Sequence, residues 1–244
     1  MCLKDWPVAL LAGGLATRLR PLTEKIPKAL VKVGNEPFLA HQLRLLHSQG
    51  IRQVILCLGY LGEMIEAQFG DGAAYGMNIE YSFDGPQLLG TGGALKRALP
   101  ALGDRFFVIY GDSYLPTNYA RVAQAFLSSG KPAMMTVFKN RDRWDRSNVE
   151  FDGKEIVRYD KMNPDNTMQY IDYGLNVFRS ETFANCPSDK PFELAQFYPD
   201  LIITNLLAGF EVKERFYEIG SRHGLAELDW LLRKSPAPAD HELF

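Results

Sequence analysis

The chain has 244 residues, of which 46% are hydrophobic and 23% are charged, and its formal net charge is −2. This length and composition are typical of one α/β domain with a sizeable core. A nearly balanced charge provides no broad basic field, so we exclude nucleic acid as an expected partner.

Targeting segments and cysteines give two further expectations. No apolar run approaches the ~18 residues that a membrane helix needs, and the charged Lys4 and Asp5 argue against a signal peptide. Cys2, Cys57 and Cys186 are odd in number and widely spaced, which indicates neither a metal cluster nor a disulfide framework. We therefore expect a soluble cytoplasmic protein with no membrane partner. The sequence leaves its oligomeric state open between monomer and homodimer.

The predicted elements of the first half alternate between strands and helices. An apolar run at residues 8–11 predicts a buried strand that opens into a loop with Gly13 and Gly14. Further strands are predicted at 54–58, 79–83 and 106–110, and helices at about 36–50, 62–69 and 90–102. This alternation predicts an α/β fold with a Rossmann-like, mixed but mostly parallel sheet flanked by helices. Such sheets bind ligands at the carboxyl ends of their strands.

The second half has a different pattern. We predict a helix at about 118–127, a strand at 133–138, a hairpin of 148–151 with 156–159, and a strand at 170–178. A helix at about 197–207, a strand at 212–217 and a closing helix at 224–232 follow. The two halves together form one predicted domain over residues 1–234, and residues 235–244, with two prolines, form a loose tail.

The loop after the first strand carries a phosphate-binding pattern. Glycines free the backbone N–H groups to approach an anion, and cations lie nearby in sequence. The spacing fits neither a P-loop nor the Gly-x-Gly-x-x-Gly dinucleotide motif. Residues 13–23, GGLATRLRPLT, followed by Pro27-Lys28, resemble instead the signature of the sugar-1-phosphate nucleotidyltransferases. The departure within this match is Ala16, where that family usually has glycine.

This resemblance implies the nucleotide-diphospho-sugar transferase fold and a reaction that converts a nucleoside triphosphate and a sugar 1-phosphate into a nucleotide sugar and pyrophosphate. It implies that Arg18 clamps the pyrophosphate and the transition state, and that Lys28 contacts the α-phosphate. Asp112 follows an apolar strand in the segment YGDS, where a carboxylate is well placed to hold Mg²⁺, and the family's Gly-Asp is a metal ligand. Arg18, Lys28 and Asp112 are therefore the candidate catalytic residues, with Mg²⁺ as the expected cofactor.

A late segment supplies the expected second metal ligand. Residues 216–221, FYEIGS, match the family's aromatic-x-Asp-Ile-Gly-Thr pattern, with Glu218 in place of the aspartate and Ser221 in place of the threonine. The resemblance implies that Glu218 binds Mg²⁺, although its side chain is one methylene longer and a surface salt bridge is the alternative.

The resemblance also implies the substrate-binding residues. The nucleotide-binding set is drawn from the two glycine-rich turns: Leu11, Ala12, Gly13, Gly14, Thr17, Arg18, Gly90, Thr91 and Gly92. The sugar-phosphate set is Asp160, Lys161 and Gly174, for which an exposed ion pair at 160–161 is the alternative. The nucleotide-binding part would thus end at about residue 115 and the sugar-binding part would occupy about 116–234.

Three functions remain open from the sequence. The short form and the turn LGTGGA at 89–94 are most similar to guanylyltransferases for D-glycero-α-D-manno-heptose 1-phosphate or mannose 1-phosphate. A uridylyl- or cytidylyltransferase for another sugar phosphate, such as N-acetylmuramate 1-phosphate, or for a phosphorylated amino alcohol is the alternative enzyme. A catalytically inactive nucleotide-sugar sensor is the alternative of another class, suggested by Ala16 and Glu218.

Overall fold

The computed structural model describes residues 1–188 and 190–234. In chain order, the first half contains β1 (Val8–Leu11), β2 (Lys32–Val33), β3 (Glu36–Pro37), α1 (Phe38–Ser48), β4 (Gln53–Leu58), α2 (Gly62–Phe69), β5 (Asn78–Phe83), α3 (Gly90–Leu102), β6 (Arg105–Tyr110) and β7 (Ser113–Tyr114). The second half contains α4 (Tyr119–Ser129), β8 (Ala133–Lys139), β9 (Val149–Phe151), β10 (Ile156–Tyr159), β11 (Tyr170–Arg179), α5 (Leu194–Ile203), β12 (Leu207–Val212), β13 (Tyr217–Glu218) and α6 (Arg222–Lys234).

The main sheet of the described residues has nine strands and confirms the predicted fold class. Strands β6, β1, β4 and β5 lie side by side and pair in parallel. Strand β11 pairs antiparallel with β6 on one edge and with β8 on the other, and β12 runs parallel to β8. The sheet is therefore continuous across residue 115, and the proposed division there stays a prediction.

Helices cover both faces of this sheet, which is why its central strands are apolar throughout. Val8 and Leu10 of β1 belong to a core that also contains residues of α1, α2 and α4. Ala9 and Leu11 belong to a second core on the opposite face, with residues of α3 and α5. The alternation of side chains along a strand thus distributes one four-residue segment between two helical layers.

A smaller core anchors the C-terminal helix. Ile219 and Leu228 pack with Val31, Val33 and Phe38, so α6 lies against the segment that follows the first loop. None of the helices in the described residues has the length and apolar character required to cross a bilayer.

Near residue 205, the predicted bounds of one helix and of one strand are wrong. The helix expected at 197–207 is Leu194–Ile203, and the strand expected at 212–217 is Leu207–Val212. The helix ends because Asn205 adopts a left-handed φ of 57° and the N–H of Leu206 bonds back to the carbonyl of Leu201 at 2.8 Å. Leu207 then pairs with Ala133 of β8, a partner that local pattern cannot reveal. The predicted tail, 235–244, lies outside the described residues.

Candidate functional site

A cleft of about 640 Å³ opens at the carboxyl ends of β1, β4 and β6. It is lined by the first glycine loop, the second glycine-rich turn, the Gly111-Asp112 turn and a segment at 191–196. The predicted site residues that line it are Leu11, Ala12, Gly13, Gly14, Thr17, Lys28, Gly90, Thr91 and Asp112. Arg18, Gly92, Asp160, Lys161, Gly174 and Glu218 are not among its lining residues.

Lys28 and Asp112 form an ion pair in the lining of the cleft. The ammonium Nζ donates to Oδ2 of Asp112 at 2.9 Å, and the two side chains are only 18% and 27% exposed. The first loop and the end of β6 therefore meet at one point, 84 residues apart in sequence. A cation paired with a carboxylate at a strand end can bind a phosphate group and a divalent metal side by side.

The backbone around Asp112 is held in place by close packing. Gly111 donates its N–H to the carbonyl of Leu11 at 2.9 Å, and a Cβ at this position would lie 2.8 Å from that oxygen. The buried amide of Gln42 donates to the carbonyls of Tyr110 and Ser113, at 3.3 and 2.8 Å. Glycine is therefore required before Asp112, and Gln42 fixes the turn on both sides.

The first loop contains a strained residue at the position where its glycine-rich motif departs from the family pattern. Ala16 has φ 49° and ψ 40°, the left-handed region that favours glycine. The hydroxyl of the buried Thr23 donates to the carbonyl of Ala16 at 2.8 Å and helps to hold it there. The left-handed backbone at this position explains why glycine is usual in the pattern.

The second glycine-rich turn packs against the segment before α5. The carboxylate Oε2 of Glu193 accepts from Thr91 twice, from the backbone N–H at 3.2 Å and from the hydroxyl at 2.5 Å. Gly92 donates its N–H to the carbonyl of Phe192 at 2.9 Å, and its Cβ would lie 2.2 Å from the Phe192 ring. N–H groups in the first turn of α3 are thus bonded to residues 192 and 193. Gly92 does not line the cleft itself but packs against Phe192, which does.

Asp84 is a buried carboxyl group in the cleft wall. It follows β5, is 5% exposed, and accepts from the N–H of Leu89 through Oδ2 at 3.1 Å. Its other oxygen, Oδ1, is buried and has no hydrogen-bond partner among the described residues. Burial raises the pKa of this carboxyl group above its usual value.

Arg18 and Glu218 lie together beside the C-terminal helix. The guanidinium of Arg18 contacts Gly220, where a Cβ would lie 2.9 Å from Nη2. Glu218 accepts from the N–H of Gly220 and, at 2.7 Å, from the hydroxyl of Ser221. Strand pairing places Glu218 opposite Ser113, and Ile219 donates to the carbonyl of Asp112 at 2.9 Å.

The predicted sugar-phosphate residues lie in the second half of the chain. Asp160 accepts from the N–H groups of Met162 and Asn163, as in an Asx turn. Gly174 has φ 92° within a register shift of β11, so a bulge there explains the glycine. Asp172 accepts from the N–H of Gly174 at 3.0 Å, and burial raises its pKa against that bond and the charge of Lys161.

The carboxylates near the cleft can be compared with what a magnesium ion requires. Among the described residues, no group of three or more Asp, Glu, His or Cys side chains could hold a metal. Mg²⁺ binds in many enzymes through one or two carboxylates, waters and substrate phosphates. Asp112 fits that requirement, because its carboxylate lines the cleft beside Lys28. Glu218 does not fit as well, because both of its oxygens accept hydrogen bonds from its own segment.

Three parts of this site are not among the residues predicted from the sequence. Asp84 obeys the same rule as Asp112, because it follows a predicted strand, and that signal could have identified it. Glu193 and Gln196 form a capping box at the start of α5, which could have placed that helix correctly. Nothing in the local sequence indicates that Phe192 and Glu193 lie against a turn 100 residues earlier.

Comparison with known proteins is consistent with this geometry. The profile of the family described as nucleotidyl transferase matches residues 8–210. An N-acetylmuramate alpha-1-phosphate uridylyltransferase of Neisseria meningitidis is 40% identical over 116 residues, 47% of this chain and 50% of that protein. A D-glycero-alpha-D-manno-heptose 1-phosphate guanylyltransferase of Campylobacter jejuni is 28% identical over 189 residues, 77% of this chain and 82% of that protein.

Structural similarity extends over nearly the whole chain. The structure of HddC from Yersinia pseudotuberculosis, solved with GMP-PN, has a TM-score of 0.75 at 23% identity, with 93% of this chain and 99% of that chain covered. This likeness shows a shared fold. The chain spans about half the length of several curated relatives. Because the family profile covers most of the sequence, and the homologues are named for sugar 1-phosphates, the chain belongs to the nucleotidyl transferase family, among the sugar-1-phosphate nucleotidyltransferases.

Proposed function

We propose that the chain transfers a nucleoside monophosphate from a nucleoside triphosphate to a sugar 1-phosphate and releases pyrophosphate. The observation that carries this proposal is the ion pair of Lys28 and Asp112 in a cleft that is also lined by two glycine-rich turns. The preferred donor is GTP and the preferred acceptor is heptose or mannose 1-phosphate. The substrates are small molecules, and we propose a cytoplasmic location for this biosynthetic step.

The chemistry asks mainly for charge neutralisation. The attacking phosphate oxygen is already an anion, so it needs positioning in line with the α-phosphorus rather than a strong base. Lys28 would contact the α-phosphate, and Arg18, adjacent to the cleft-lining Thr17, would hold the leaving pyrophosphate. Asp112 would hold Mg²⁺, which supplies positive charge to the phosphate oxygens when it is bound.

Asp84 supports guanine as the base. Guanine presents two neighbouring donors, N1–H and the N2 amino group, to a single carboxylate. Uracil presents one N–H donor between two carbonyl oxygens. Cytosine has its amino donor next to an acceptor nitrogen, so neither pyrimidine offers a carboxylate two neighbouring donors. Asp84 lines the cleft wall, and its Oδ1 is buried without a hydrogen-bond partner among the described residues. A base donor that turned this carboxylate toward the cleft would remove the cost of leaving that oxygen unpaired.

A matrix of nucleoside triphosphates and sugar 1-phosphates, with Mg²⁺ and pyrophosphate release as the readout, tests the proposal. We expect turnover with GTP and a mannose-type or heptose 1-phosphate. Turnover only with UTP or CTP would refute the guanine assignment and support the alternative, a uridylyl- or cytidylyltransferase. The Neisseria relative is named as a uridylyltransferase. Nucleotide-sugar binding without turnover in any combination would refute the enzymatic proposal and favour the sensor.

The base assignment has its own variant test. Asp84→Asn keeps the shape of the side chain but replaces one acceptor by a donor, so we expect kcat/KM for GTP to fall about 10- to 100-fold. Asp104→Asn, on the exposed turn before β6, is the matched control and should retain wild-type values. A wild-type preference for GTP that survives in Asp84→Asn would show that another group reads the base.

A further inference from the structure

Glu218 occupies a slot at the start of the C-terminal helix. A Cβ at Gly220 would lie 2.5 Å from its Oε2, and a Cβ at Gly224 would lie 2.5 Å from its Oε1. Any side chain at either position would therefore collide with the carboxylate. The two glycines, one before α6 and one in its first turn, leave room for a glutamate of this length.

Both oxygens of the Glu218 carboxylate also accept hydrogen bonds in this slot. It accepts from the backbone N–H of Gly220 and from the hydroxyl of Ser221, which in turn accepts from the N–H of Gly224 at 3.0 Å. Negative charge at the N-terminal end of a 13-residue helix is favourable, because unpaired N–H groups and the helix dipole point toward it. Ser221 thus caps α6, and Glu218 holds the capping hydroxyl in place.

The same slot touches two parts of the candidate site. Arg18 contacts Gly220 on the side where a Cβ would lie 2.9 Å from Nη2 and 3.4 Å from Cζ. Ile219, between Glu218 and Gly220, donates its N–H to the carbonyl of Asp112 at 2.9 Å and packs in the core with Val31 and Val33. The segment 218–220 therefore borders Arg18 on one side and the backbone of Asp112 on the other.

We propose that Glu218 is a positioning residue for Arg18 and Asp112, and that it is not the second magnesium ligand that the family resemblance implies. This inference rests on the proposed nucleotidyl transfer for its kinetic consequences. Turning the carboxylate toward the cleft would remove both of its hydrogen bonds, including the one that holds the capping hydroxyl of Ser221. Aspartate, the residue usual in the family, would be shorter by one bond of about 1.5 Å and could not span the slot.

The experiment compares Glu218→Asp and Glu218→Gln with Glu66→Asp, an exposed control on α2. In the metal-free protein with EDTA, we expect the melting temperature of Glu218→Asp to fall by about 2–6 °C, because the helix cap at Ser221 loses the carboxylate that holds its hydroxyl. Glu66→Asp should melt as the wild type does. We expect kcat of Glu218→Asp to fall about tenfold while the half-saturating Mg²⁺ concentration stays within about twofold.

The opposite pattern would overturn the inference. If Glu218 binds the metal, Glu218→Asp will melt normally without metal, and Glu218→Gln will raise the half-saturating Mg²⁺ concentration tenfold or more. Binding of Mn²⁺ in the presence of GTP, followed by electron paramagnetic resonance, gives the same comparison without turnover. The melting and Mn²⁺ measurements therefore test Glu218 even if the matrix of substrates fails to reveal transfer.

Discussion

Gly92→Ala places one methyl group against the ring of Phe192. The added Cβ would lie 2.2 Å from Cε2, 2.4 Å from Cδ2 and 2.8 Å from Cζ, whereas ordinary contacts begin at 3.4 Å. The ring must therefore retreat by about 1 Å. Because Gly92 has an ordinary helical backbone, the substitution introduces no strain of its own in α3.

Two energies of opposite sign decide the outcome. Alanine in a helix is more favourable than glycine by up to about 1 kcal/mol, whereas overpacking costs about 1–3 kcal/mol. Phe192 is half-buried and lies two residues before the start of α5, so the 190–193 segment can move outward rather than unfold the domain. That movement would lengthen the bonds from Gly92 to the Phe192 carbonyl and from Thr91 to Glu193.

We therefore expect a change in binding rather than in stability. The melting temperature of Gly92→Ala should stay within about 3 °C of the wild type. Its KM for the nucleoside triphosphate should rise about tenfold, which corresponds to about 1.4 kcal/mol of lost binding. Steady-state pyrophosphate release, with the sugar phosphate saturating, measures this constant.

A double-mutant cycle with Phe192→Ala supplies the control. If the ring is what the methyl group strikes, adding Gly92→Ala to Phe192→Ala should cost little more, and the two effects should be strongly coupled. If glycine is needed instead because the nucleotide itself approaches position 92, Phe192→Ala will not rescue the variant. Additive effects in the cycle would refute the reasoning.

Three further predictions concern other parts of the site. Asp112→Asn should reduce turnover at least about 1,000-fold, and Lys28→Met about 100-fold, with circular dichroism unchanged, because both charges act on the phosphates; an active Asp112→Asn enzyme would remove its proposed metal role. Ala16→Gly should raise the melting temperature by about 2 °C, since relief of left-handed strain outweighs the entropy of glycine; no gain would mean that the φ of 49° is unstrained. Burial raises the pKa of Asp84, so the folded state binds its proton more tightly than the unfolded state. The unfolded chain has the ordinary pKa of 3.8 at this carboxyl group. Urea titrations should therefore show the free energy of unfolding of the wild type falling relative to that of Asp84→Asn as the pH rises from 3.8 through the raised pKa. An equal pH dependence of the two proteins would contradict this.

The strands and loops of the nucleotide half were predictable because their signals are local. An apolar run that ends in glycines has few alternatives to a buried strand and a turn, as β1 and its loop illustrate. The same logic located Asp112 at the end of β6, and the structure brings it within 2.9 Å of Lys28. Whether these residues perform the roles implied by the resemblance stays a prediction.

The last third of the chain was predicted less well. Apolar residues continue from α5 through β12 without a change of period, so the pattern alone could not separate the helix from the strand. The boundary is set by the left-handed Asn205 and by the pairing of Leu207 with Ala133, which is a long-range contact.

The sequence by itself determined the fold class, the family and the two glycine-rich turns, because backbone freedom and apolar periodicity are properties of neighbouring residues. Only the tertiary structure decided that Gly92 packs against Phe192, that Asp84 lines the cleft and has one buried oxygen without a partner among the described residues, and that the carboxylate of Glu218 turns toward α6. Each of these depends on atoms brought together from distant segments, and packing and hydrogen-bond satisfaction choose among the orientations that a local pattern leaves open.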